Sequence, residues 1–390
     1  MNRERPAARL SAIRPFHVMR LLARARALEA AGRDIVHMEI GEPDFDTAAP
    51  IVEAGRAALA AGRTHYTPAA GLPALREAIA GHYQDEYGVA VDPARILVTP
   101  GASGALQLMM AALVDPGDRV LMSDPGYPCN RTFVRLFGGE PVAVPGEPET
   151  GYQLTPGLAE AHWGEGARAV LAASPANPTG AILSADDLAG LAALTRSRDA
   201  RLIVDEIYQG LTYGVQAPTA LAAGDDLFVL NSFSKYFGMT GWRLGWLVAP
   251  ADWMEPLDVL AQNLFLAAPT PAQWAALAAF EPATREILEA RRQAFAERRD
   301  FLLPAVRALG FRIARAPEGA FYLYADCSAL TNDSYAFCER LLEAAGVALT
   351  PGIDFGDAAP ERHVRFAYTT DISRLREGVD RIERFLRAEG

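Results

Sequence analysis

The chain has 390 residues, half of them apolar and 22% charged, and carries a net charge of −11. That length exceeds what one hydrophobic core serves, so two domains are expected. The acidic balance argues against a nucleic-acid partner, which needs a basic face, and no apolar run reaches the roughly 18 residues of a membrane span.

The first segment, MNRERPAARLSAIRP, is arginine-rich but has no uninterrupted apolar stretch behind it. It is expected to be an ordered N-terminal arm and not a signal peptide. Cys129, Cys327 and Cys338 are odd in number and lack metal-knuckle spacing, which fits a reducing cytoplasmic location and no metal. A helix is expected over 17–31, stopped by Gly32, and GEPDFDT (41–47) reads as a turn-rich link. LREAIAGHYQDEYG reads as a helix ending at glycine.

From there short apolar runs alternate with helical segments. Strands are expected at RILVTP (95–100), RVLMS (119–123), AVLAAS (169–174), RLIVDE (201–206), LFVLNSFS (227–234) and LGWLVA (244–249). Helices are expected at 104–114 and 184–198, the second opened by a Ser-x-x-Asp capping pattern. This order predicts an α/β fold, with a largely parallel sheet covered by helices on both faces. After about 281 the texture changes. A long charged helix broken near Pro304 precedes strand-like FRIAR and FYLYA, a helix, the strand HVRFAYT and a last helix. The expected division is an arm with part of the small domain (1–49), a large domain (50–280) and a smaller α+β domain (281–390).

Sites in open α/β sheets lie at the carboxyl ends of strands. Five predicted strand ends carry polar or glycine-rich tips: PGASGA, DPGYP, PANPTG, DEIY and SFSK. PGASG (100–104) alone reads more readily as a plain strand-to-helix turn than as a phosphate cradle. Arg243, Ser232 and Ser234 shift the balance toward phosphate by adding a bidentate cation and two hydroxyls. Asp205, entering a buried strand end, needs a cationic partner or a cap. A ring nitrogen would serve, with Tyr208 and Asn177 reaching the same ring. Lys235 sits among Ser232, Ser234, Tyr236 and Phe237, an unusual setting for a solvated lysine. A phosphate, a ring with a basic nitrogen, a phenolic oxygen and an aldehyde that lysine captures together describe pyridoxal 5'-phosphate.

These residues resemble the class I and II aminotransferases of pyridoxal-phosphate fold type I over nearly the whole chain. The landmarks are GEPDF (41–45), YTPAAGLPALREAI (66–79), SPANPTG (174–180), VDEIY (204–208), SFSKYFGMTGWRLGW (232–246) and VRFAY (364–368). The resemblance implies that Lys235 tethers the cofactor and later moves protons. It implies that Asp205 pairs with the ring nitrogen, that Asn177 and Tyr208 bind the phenolic oxygen and that Tyr127 stacks on the ring. Ala102, Ser103, Ser232, Ser234 and Arg243 would hold the phosphate. Tyr66 would reach a phosphate in a neighbouring subunit, implying a homodimer with shared sites. Arg365 would grip the substrate α-carboxylate, assisted by Gly41 and Asn177.

The implied reaction is transfer of an amino group between an amino acid and a 2-oxo acid. Many dicarboxylate-specific relatives carry a cation in the phosphate loop, whereas Ala102-Ser103-Gly104 has none. With Ile13 and Phe16 expected to add apolar contact, a neutral aliphatic or aromatic substrate is favoured, with 2-oxoglutarate as acceptor. Two rivals share the fold. A lyase or synthase would keep the cofactor residues but release ammonia. A ligand-sensing regulator would need a DNA-binding domain ahead of GEPDF, for which the sequence shows no room.

Overall fold

The computed structural model describes residues 7–13 and 15–389; residues 1–6 of the expected arm, Arg14 and Gly390 lie outside the described residues. The described strands are β1 (Val36–His37), β2 (Ile96–Thr99), β3 (Arg119–Asp124), β4 (Glu140–Pro145), β5 (Ala167–Ala173), β6 (Arg201–Asp205), β7 (Phe228–Ser232), β8 (Gly245–Val248), β9 (Tyr322–Asp326), β10 (Val347–Ala348), β11 (Thr350–Pro351) and β12 (His363–Ala367). Seven of them form one sheet in the order β2-β8-β7-β6-β5-β3-β4. Neighbouring strands pair in parallel, except that β8 runs antiparallel to both β7 and β2.

Alternation along these strands builds two cores. Val98, Leu121, Val170, Val204 and Val229 face one side, while Leu97, Met122, Leu171, Ile203 and Leu230 face the other. Each face is covered, so the strands read as continuous apolar runs and not as alternating ones. The edge strand β4, EPVAVP, was missed in the sequence because its two prolines look like breakers. On an edge, a proline forfeits no ladder bond that a neighbour needs. Three antiparallel strands, β11-β12-β9, form a second sheet, and β1 pairs in parallel with β10, tying the N-terminal segment to the C-terminal part.

Three expectations need correction. The helix expected at 104 begins at Gly101, so PGASG is a helix start and not a loop. The helix expected to break near Pro304 runs unbroken over Pro282–Ala308. Pro304 lies near its end, where the missing amide leaves only the Asp300 carbonyl short of a partner, and buried Leu302 and Val306 hold the last turns. FRIAR forms no strand; it contributes one bridge, Arg312 with Asp326. No helix among the described residues is long and apolar enough to cross a membrane.

Behind the strand-end residue Asp205 lies Glu206, fully buried. Its carboxylate accepts the Ala220 amide at 2.7 Å and the Thr219 hydroxyl at 3.0 Å. Burial still dominates and pushes its pKa up to about 8. A raised carboxyl pKa means that the folded state holds a proton that the unfolded state has released. This contribution is therefore lost as pH rises from the unfolded pKa toward 8. Glu206→Gln should raise the Tm by several degrees at pH 8 and change it little at pH 5, as read by thermal melts at the two pH values.

Candidate active site

Because β8 runs against its neighbours, its amino end lies at the same sheet edge as the carboxyl ends of β2, β3, β5, β6 and β7. Arg243, two residues before β8, thus joins residues that follow the parallel strands. A cavity of about 530 Å³ opens at this edge. Its lining includes Gly41, Ala102, Ser103, Tyr127, Asn177, Asp205, Tyr208, Ser232, Ser234, Lys235, Arg243 and Arg365. Of the thirteen residues singled out in the sequence, only Tyr66 lies elsewhere, with 82% of its surface exposed. Of the two arm residues expected to add apolar contact, Phe16 lines the cavity and Ile13 does not.

At one end, Gly101 starts the helix Gly101–Leu113 with φ +71°, a left-handed conformation natural to glycine. A Cβ there would stand 2.6 Å from the Arg243 guanidinium. Gly245 is equally constrained, since a Cβ would meet the Ala102 amide nitrogen at 2.9 Å. Two missing side chains therefore let a helix start, with its unpaired amides, approach a guanidinium. The Ser232 and Ser234 hydroxyls lie 2.9 Å apart beside them. Free amides, hydroxyls and a guanidinium converging on one point make an anion site.

In the middle, Lys235 Nζ donates to the Gly41 carbonyl at 2.7 Å. Burial lowers its pKa to about 8; the nearby charges of Arg365 and Arg243 act in the same direction, against Glu42 and Asp205. Lys235 is also the only lysine in the chain, every other side chain of its charge class being arginine. Asp205 is 5% exposed and accepts the Ile207 amide at 3.0 Å, and burial pushes its carboxyl up to about 6.

At the far end, Arg365 is held by neutral acceptors. Its Nη1 donates to Asn177 Oδ1 at 2.8 Å and its Nη2 to the Glu39 carbonyl at 2.6 Å. The guanidinium lies 4.1 Å from the Tyr322 ring centroid. Its Nε is buried with no partner. Tyr322 was missed in the sequence, yet its hydroxyl meets the Tyr208 hydroxyl at 2.8 Å. Nothing in FYLYA beyond an aromatic residue at a strand start marks it. Asp354 was also missed. It accepts the amides of His17 and Val18 at 2.7 and 2.8 Å, capping the helix His17–Ala30 whose face walls the cavity.

A family profile described as "Aminotransferase class I and II" matches residues 33–382. The chain belongs to that family. It is 38% identical to a valine–pyruvate aminotransferase of Mycobacterium tuberculosis over 95% of this chain and 96% of that protein. It is also 38% identical to an aspartate/prephenate aminotransferase of Thermus thermophilus, over 97% and 98%. A crystal structure of an aminotransferase from Mycobacterium tuberculosis superposes with a TM-score of 0.95 at 38% identity, covering 99% of this chain and all of that one.

Aminotransferases of this family depend on pyridoxal 5'-phosphate, and the residues of this aminotransferase fit that group. The anion site suits its phosphate, the buried Asp205 carboxyl lacks a cationic hydrogen-bond partner that a ring nitrogen would provide, and the single lysine is a weakened base in between. The low pKa of Lys235 has a measurable effect, since only the neutral amine captures an aldehyde. Covalent capture of pyridoxal phosphate by the apoenzyme, fixed by borohydride and counted by mass, should be half-maximal in rate near pH 8. A rate still climbing steeply at pH 10 would mean that burial does not weaken this amine.

Proposed function

We propose that this aminotransferase exchanges the amino group between a neutral L-amino acid, aliphatic or aromatic, and a 2-oxo acid such as 2-oxoglutarate. The observation that carries the reading is the cavity wall opposite the sheet: Phe16, Val18, Met19 and Leu22, joined by Ile40 and Leu106. None of these ionises, Arg26 standing only at the end of the same helix face, and Ala102-Ser103-Gly104 is uncharged. An apolar side chain gains about 25 cal/mol per Å² buried against such a wall, whereas a carboxylate there loses its hydration. The mycobacterial relative is named for a neutral donor, the Thermus relative for an acidic one.

In this reading, the substrate α-carboxylate takes the unpartnered Nε edge of Arg365, beside Asn177 and Gly41. Asp205 holds a proton on the ring nitrogen, and Tyr208 with Asn177 flanks the phenolic oxygen. Tyr127 takes the ring face. The amides of Ala102 and Ser103, the hydroxyls of Ser232 and Ser234 and the Arg243 guanidinium hold the phosphate. Bound pyridoxal phosphate supplies an electron sink that acidifies the α-hydrogen of the attached amino acid. Lys235, with a pKa of about 8, is the group whose Nζ lifts and returns that proton near neutral pH.

The same reading makes the working unit a cytoplasmic homodimer with shared sites. Tyr66 is exposed and absent from its own cavity, which leaves its phenol available to a neighbouring subunit's phosphate. Leu264 and Leu266 are likewise exposed, and all three cysteines are unpaired. The division at about 50 and 281 belongs to the proposal too, supported by the pairing of β1 with β10.

The test adds single amino acids to cofactor-loaded enzyme with no oxo acid present. A neutral class should yield one equivalent of its 2-oxo acid per site, the amino group staying on the enzyme. Conversion of aspartate alone would sink the neutral reading, and free ammonia would move the reaction toward a lyase. Tyr66→Phe should weaken cofactor retention roughly tenfold, read by dialysis; unchanged retention would argue against shared sites.

A further inference from the structure

Two tyrosine hydroxyls join the seven-stranded sheet to the three-stranded one. Tyr208 follows β6 of the first, and Tyr322 opens β9 of the second. Both are buried and both line the cavity. Their oxygens lie 2.8 Å apart, and among the described residues neither hydroxyl has another hydrogen-bond partner. The Tyr322 ring is fixed from several sides. The Tyr208 ring meets it edge-on at 5.7 Å and the Phe321 ring at 4.8 Å, while the Arg365 guanidinium lies 4.1 Å from its centroid. Its hydroxyl fills space that Gly41 leaves open, because a Cβ on Gly41 would overlap that oxygen.

We propose that Tyr322 is a positioning residue for the cofactor: its hydroxyl donates to the Tyr208 oxygen and thereby commits the single Tyr208 proton to the phenolic oxygen of pyridoxal phosphate. This rests on the placement of Tyr208 beside that oxygen. A phenol has one proton and donates one hydrogen bond. With the Tyr208 proton aimed at the cofactor, the bond between the two tyrosines has to run from Tyr322 to Tyr208. Tyr322 suits the donor's part. Burial raises its pKa, but the Arg365 charge over its ring acts against that rise, and a more acidic hydroxyl is a stronger donor. A hydroxyl that accepts one bond is polarised by it and donates a stronger one.

The effect is read on the proton that the bound cofactor holds. A donor at the phenolic oxygen stabilises negative charge there, so that proton leaves at lower pH. Phenylalanine at position 322 keeps the ring, its packing and the face beneath Arg365, and removes only the donor. The Tyr208 oxygen is then buried with no donor to accept from, and its own bond to the cofactor weakens. The bound cofactor should therefore keep its proton to higher pH.

The experiment titrates the absorbance of cofactor-loaded enzyme against pH in wild type, Tyr322→Phe, Tyr208→Phe and the double variant. Tyr208→Phe should raise the midpoint by about one unit and Tyr322→Phe by about half a unit. The double variant should match Tyr208→Phe, because Tyr322 acts through Tyr208. KM for amino acid and oxo acid should stay within about twofold in Tyr322→Phe, since the ring beneath Arg365 is kept. A wild-type midpoint in Tyr322→Phe, with Tyr208→Phe shifted, overturns the role of Tyr322 and leaves Tyr208 in place. The same shift from Tyr322→Phe with and without Tyr208 also overturns it, because the effect then bypasses Tyr208. An unshifted Tyr208→Phe instead refutes the placement of Tyr208 at the phenolic oxygen, and the relay with it.

Discussion

One end of the cavity depends on how the Arg365 guanidinium is held. It joins three distant stretches of chain, since Glu39, Asn177 and Thr350 all accept from it. Those acceptors are a carbonyl, an amide oxygen and a hydroxyl, and none is a carboxylate. Hydrogen bonds orient the fork without a carboxylate bonded to it, and the faces of Tyr322 and Phe355 back it. A carboxylate placed there would have satisfied the charge and closed the site to anions. The same charge helps to lower the pKa of Lys235. The guanidinium thus adds to the weakening of the base that burial begins.

The sheet separates two tasks. Residues at the ends of β2, β3, β5, β6 and β7, with Arg243 before β8, surround the cofactor's place from one side. In the proposed reading, much of the wall that meets a substrate side chain is one face of the helix His17–Ala30, bound to the loop at Asp354 through two backbone amides. Because backbone atoms make that attachment, side chains along the helix face can change without loosening it. In that reading chemistry and selectivity reside on different elements, which suits a fold that hosts many substrates.

Strand-end residues were legible because an apolar run that stops at Asp205, or turns into Ser-Phe-Ser-Lys, announces both a buried strand and a polar tip. Local signals also located the capped helix at Ala185–Ser197 and the glycine-ended helix at Pro73–Tyr87. Tyr322, Asp354 and Arg26 could not be found this way. Each reaches the cavity only by packing of segments far apart in sequence, and each looks locally like an ordinary strand aromatic, loop acid or helix-surface arginine. The reversed direction of β8 was hidden too, since LGWLV has the same apolar texture as the parallel strands. Pro304 misled because a helix interior normally rejects proline, and only its position near the helix end makes it harmless.

An aldehyde cofactor is a hazard to the protein that uses it, because it condenses with any accessible amine. A surface studded with lysines would accumulate stray adducts whenever the free cofactor is abundant. Here the remaining cationic side chains of that class are guanidinium groups, which stay charged and are poor partners for an aldehyde at neutral pH. Apart from the chain's own amino terminus, Lys235 is the only primary amine the protein offers, and it stands inside the cavity. The enzyme is in this sense proofed against its own reagent.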